Sequence, residues 1–138
     1  MKHLPLLATL ALLAFPTFLQ AQADSPLEGQ MKILARGMRQ LSQQVIDPAK
    51  QQENIILLES LKKAVTDSKT LEPRKISSIP AENREKFLAD YRHELDELSD
   101  AFNQVEEAVK AGQHDKAKSL LATVNSIKKE GHGKFKVD

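Results

Sequence analysis

The chain has 138 residues, no cysteine and no tryptophan, with 20 basic and 19 acidic side chains. The near balance of charge excludes the strong basic excess that nucleic-acid binding wants, so no nucleic-acid partner is expected. The lack of cysteine excludes disulfides, and few aromatics with no glycine-rich loop argue against an all-β domain or a phosphate-binding loop.

The first stretch, "MKHLPLLATLALLAFPTFLQAQA", has a basic start and an apolar run from Leu4 to Leu19. It closes on Ala21-Gln22-Ala23, a small-x-small cleavage pattern. It reads as a secretory signal peptide over residues 1–23. The run is short for a membrane span and Pro16 interrupts it. The mature chain is then expected to begin at Asp24, as one domain over residues 24–138, with no membrane association after cleavage. Removing Lys2 leaves the mature chain with 19 basic and 19 acidic residues and no net charge.

Four helices follow. "SPLEGQMKILARGMRQLSQQV" opens with Ser25, Pro26 and Glu28, a capping box with proline at the first helical position. Leu27, Met31, Leu34, Met38, Leu41 and Val45 recur at steps of four and three, one buried helix face. Asp47-Pro48 starts a second helix to about Lys69, with Ile55, Leu58, Leu61 and Val65 inward and Ile56 and Leu57 widening the stripe. "TLEPRKISSIP" reads as a long loop. The third helix follows Pro80 and stops before Gly112, carrying Phe87, Tyr91, Leu95, Leu98, Phe102, Val105 and Val109 on one face. The fourth begins near Asp115 and carries Ala117, Leu120, Leu121, Val124 and Ile127. The predicted fold class is all-α, an up-down-up-down antiparallel four-helix bundle. The acids of the third helix between Asp90 and Glu107 read mainly as solvated surface.

That topology serves as a ruler. Helix 1 begins at the end where helix 4 finishes. Met31 is 16 residues before the turn at Asp47, and His132 is 19 residues after the turn at Gln113. At ~1.5 Å per residue their heights differ by only about 4–5 Å. Met38 is roughly 15 Å from the level of His132 by the same rise. His114 lies in the opposite turn, and His93 points away from the apolar stripe. One thioether and one imidazole can therefore converge at one end, which suits a six-coordinate haem iron. Gly131 and Gly133 flank His132. They either mark a fraying helix end or leave room for a large flat group. On this geometry alone Met31 also reads as core filler and His132 as a surface residue.

"SPLEGQM", "DYRHELDEL" (Asp90 to Leu98) and "AGQHDKAKSLL" resemble the soluble periplasmic cytochrome b562 family, over the whole chain from Asp24 onward. The resemblance implies that Met31 and His132 are the axial metal ligands of haem b. The absence of cysteine, in a place where related cytochrome c′ bundles carry C-x-x-C-H, implies noncovalent binding. Leu34, Tyr91, Leu95, Val124 and Phe135 would line the pocket, and Lys128, where the family often has arginine, would pair with a haem propionate. Leu95 stands where a phenylalanine can line the haem. The function implied is periplasmic single-electron transfer by a monomer, not an enzyme, with periplasmic redox partners that the sequence does not name. A haem-free bundle acting as a binding or stress module is the alternative, and a copper or haem chaperone a third.

Overall fold

The computed structural model describes residues 24–137, so the expected signal peptide at 1–23 lies outside the described residues. Four α-helices account for most of the described chain: α1 (Pro26–Gln44), α2 (Gln51–Ser68), α3 (Arg84–Lys110) and α4 (His114–Phe135). Helix α1 starts as its sequence dictates. The Ser25 hydroxyl accepts from the Glu28 amide, and the Glu28 carboxylate accepts from the Ser25 amide. Two of the amide donors that every helix N-terminus leaves unpaired are thereby satisfied.

The connections decide how the helices stack. Between α1 and α2 the Asp47 carboxylate caps a short 3-10 turn, Pro48–Lys50, accepting from the Ala49 amide at 2.9 Å. Between α3 and α4 Gly112 adopts a left-handed backbone with φ of 69°. The Gly112 amide then donates to the Val109 carbonyl and the Gln113 amide to the Ala108 carbonyl, closing the end of α3 in a Schellman turn. Two short 3-10 turns, Arg74–Ser78 and Ala81–Asn83, organise the long α2–α3 connection. Both prolines expected to begin helices, Pro48 and Pro80, instead lead through such turns, so α2 and α3 start three to four residues later than the sequence suggests.

Helix α1 packs on α2, α2 on α3 and α3 on α4. At the core Leu41, Val45, Leu58, Leu61, Val65, Phe102, Val105, Val109 and Val124 are almost fully buried. The α1–α2 contact is close because Gly37 has no side chain: a Cβ there would stand 2.5 Å from Leu61 Cδ2. Asn54 is buried in the same seam, where its side chain exchanges hydrogen bonds with Gln44. Ile56 departs from expectation. It is 56% exposed, so the core face of α2 is narrower than its run of apolar residues suggests. Helix α4 stays helical through Gly131 and Gly133 to the buried Phe135, so His132 sits within the last turns of a continuous helix. No helix among the described residues is long and apolar enough to cross a membrane.

Candidate cofactor site

Helices α1 and α4 are neighbours in the bundle, yet their backbones scarcely approach one another. The space between them is a cavity of about 760 Å³, lined mainly by apolar side chains of α1, α3 and α4. That volume lies within the ~300–1,000 Å³ usual for cofactor and small-molecule sites.

All seven residues expected to hold a cofactor line this one cavity. Met31 and Leu34 come from α1, Tyr91 and Leu95 from α3, and Lys128, His132 and Phe135 from α4. Val124 lines it as well, and so does Met38. Leu34, Tyr91, Leu95 and Phe135 are buried, Met31 is half-buried, and His132 lies at the exposed rim. The other two histidines of the described residues are elsewhere. His93 is exposed beside Glu97. The His114 ring hydrogen-bonds the Val45 carbonyl at the far end of the bundle.

The back wall is rigidly set. Phe135 packs edge-on to both Phe87 and Tyr91, with ring centroids 5.4 and 5.6 Å apart. The Tyr91 hydroxyl donates to the Ser68 carbonyl at 2.8 Å, tying α3 to the end of α2. Burial pushes this phenol up to about 12, so it remains a donor at any physiological pH. At the rim, partial burial first, then the Lys136 and Lys128 ammonium groups, hold the His132 ring below the ordinary histidine value. The neutral imidazole is therefore favoured, the form whose free nitrogen lone pair can bind a metal.

Three features of the site escape the sequence reading. Pro73, Arg74 and Ser77 of the α2–α3 connection reach over the cavity, and Arg74 pairs with Glu28 at 3.1 Å. The second is Glu94, only 8% exposed and part of the lining, although it belongs to an acidic stretch that reads as solvated surface. Its position three residues after Tyr91 and four before Leu98 puts it on the buried stripe, and that spacing was the available signal. The third separates the two glycines. Gly131 lines the cavity, and a Cβ there would meet Glu94 Cγ at 3.4 Å. Gly133 does not line it, and a Cβ there would meet nothing within 4 Å.

Residues 26–136 match the family model for cytochrome b562. The chain belongs to the cytochrome b562 family. Membership implies a haem-binding electron-transfer cytochrome. Cytochrome b562 is itself a standard example of the up-down-up-down bundle found here. No individual curated protein matches the chain.

The residues present suit such a cofactor. The chemistry of the donor set is right, since an imidazole on α4 and a thioether on α1 border the same cavity. The walls between them are apolar, and a wall without a Cβ at Gly131 adds room.

Proposed function

We propose that this member of the cytochrome b562 family is a periplasmic electron carrier that binds one haem b noncovalently, with His132 and Met31 as axial ligands. The observation that carries the reading is the lining of one apolar cavity by both side chains, from the first and last helices. Bound haem supplies one-electron chemistry between ferric and ferrous iron.

The chain's own residues bind and orient the group. His132 offers a neutral imidazole, kept so by its partial burial and by Lys136 and Lys128. Met31 offers a neutral, soft sulfur that favours ferrous iron and raises the potential. Leu34, Leu95, Val124 and Phe135 exclude water from the wall. Lys128 and Lys136 border the cavity, where their ammonium groups would pair with propionates. Such exposed pairs contribute on the order of 0–1 kcal/mol. With His132 and Met31 both holding it, the haem would serve electron transfer and would offer no position for a substrate. The chain has no cysteine, so thioether attachment is not available to it. The expected partners are periplasmic redox proteins, met as a monomer.

The test is the visible spectrum of the protein reconstituted with haem. A six-coordinate low-spin spectrum that is lost in both His132→Ala and Met31→Ala supports the assignment. No haem uptake by the folded wild-type chain would favour a haem-free bundle.

A further inference from the structure

Glu28 and Glu94 both line the α1–α4 cavity, and of these two acids only Glu94 is buried. Glu94 Oε2 accepts from Lys134 Nζ at 3.2 Å. Glu94 Oε1 is buried and makes no hydrogen bond among the described residues. Lys134 is not devoted to it, because the same ammonium lies 2.5 Å from Glu130 Oε1. Two carboxylates therefore share one cation, and the group carries a net negative charge. Gly131 faces this carboxylate: a Cβ at 131 would lie in ordinary contact with Glu94, 3.4 Å from Cγ and 3.9 Å from Oε1. The carboxylate thus rests against α4 one residue from His132.

Given the haem reading above, we propose that Glu94 is a built-in negative charge of the cofactor pocket that favours ferric over ferrous iron and lowers the reduction potential. Reduction adds an electron to the iron, and a fixed carboxylate nearby opposes it. Burial strengthens that opposition, because the field of a charge away from water is screened little. Lys32, Arg74, Lys128 and Lys136 also line the cavity and act with the opposite sign, and Glu28 with the same sign, but all of these reach solvent, where water and salt weaken them. The neutral Met31 sulfur raises the potential, and Glu94 pulls it back. Burial and local charge are recognised levers on haem potential, separate from the axial ligands.

The test compares wild type, Glu94→Gln and Lys134→Gln, each loaded with haem b. It reads midpoint potential, ferric and ferrous haem affinity, the low-spin spectrum, and the melting curve of each apo form. Glu94→Gln should keep the spectrum and shift the ratio of ferric to ferrous affinity about tenfold toward ferrous, a rise of ~59 mV for one electron. Lys134→Gln, which removes the shared cation, should move the potential the other way. An unchanged or lowered potential in Glu94→Gln, or a shift of the same sign in both variants, overturns the proposal. Should Glu94→Gln fail to fold, an unchanged or raised potential in Lys134→Gln overturns it alone. A wild-type protein without a low-spin haem spectrum would instead sink the haem reading on which the proposal rests.

Discussion

His114 and Val45 fix the height of everything at the other end of the bundle. The His114 ring nitrogen lies 3.1 Å from the Val45 carbonyl, joining the start of α4 to the end of α1. Gln51 adds a second tie there, donating to the Val109 carbonyl at 2.8 Å. With those ends held together, equal distances along α1 and α4 arrive at equal levels. Met31 and His132 meet the same cavity for that reason.

The ligand assignment predicts a contrast between two methionines of one helix. Met38 also borders the cavity and is buried, but it stands two helical turns further from the His132 level. Met38→Ala should keep the low-spin spectrum and lose roughly 2–5 kcal/mol of stability. Met31→Ala should lose the spectrum at a smaller cost to the apo fold, since Met31 is only half-buried. Paired haem titrations and urea melts of the two variants check this, and the reverse pattern would put the wrong sulfur on the iron.

The glycines separate by surroundings. Alanine is favoured over glycine in a helix by about 1 kcal/mol. Gly133→Ala should approach that gain, with haem binding unchanged, because nothing lies within 4 Å of the new methyl. Gly37→Ala should lose stability despite the same propensity, since its methyl would overlap the fully buried Leu61. Overpacking of this kind costs roughly 1–3 kcal/mol. Gly131→Ala should weaken haem binding, because its methyl enters the cavity beside His132. Thermal melts of the three apo proteins, with haem titrations of Gly131→Ala and Gly133→Ala, give the comparison.

Two titrations make stability rise with pH. His132 is held below its ordinary value, so the unfolded chain binds its proton first as pH falls. The apo fold should therefore weaken as pH drops from about 6.5 through the folded value. Glu106 acts in a more acid range. Its burial pushes its pKa up, but hydrogen bonds from Lys110 and Lys62 outweigh this and leave it below the usual carboxylate value. Its stabilisation is present above the unfolded value and fades as pH falls through the folded one. Glu106→Gln should cost roughly 1.5–3 kcal/mol at neutral pH and much less in acid. Denaturant melts across pH, with a proton-NMR titration of His132, would show both windows, and a flat profile would count against them.

Haem that binds only the folded bundle should raise its melting point, with a stabilisation that grows as the logarithm of free haem above the dissociation constant. The gain is about 2.7 kcal/mol at a hundredfold excess over the dissociation constant. Identical melting curves with and without haem would contradict binding to the native state.

Most of the fold was legible because helical periodicity repeats itself. Leu34, Met38, Leu41 and Val45 are all buried as their spacing requires, and Ser25, Glu28 and Gly112 act at the ends where their chemistry places them. Ile56 misled because apolarity was weighed without direction: it stands two residues from both Asn54 and Leu58, which take the core-facing positions. Glu94 and Glu106 misled the other way. Both occupy the buried stripe of α3, where a carboxylate is tolerated only because a lysine from another helix reaches it. Such a partner, distant in the chain, leaves no periodic trace. The same holds for Arg74, whose place over the cavity depends on how the α2–α3 connection folds back to Glu28.

The placement of the two proposed ligands on the first and last helices has a consequence for assembly. A group gripped by both Met31 and His132 closes a loop of about a hundred residues, the kind of closure for which a clasp removes most freedom from the open chain. The grip cannot form until His132, near the end of the last helix, has been made and delivered. Loading with haem would then report that the fourth helix has joined the other three, and a chain clipped ahead of His132 would stay colourless however well its first three helices pack.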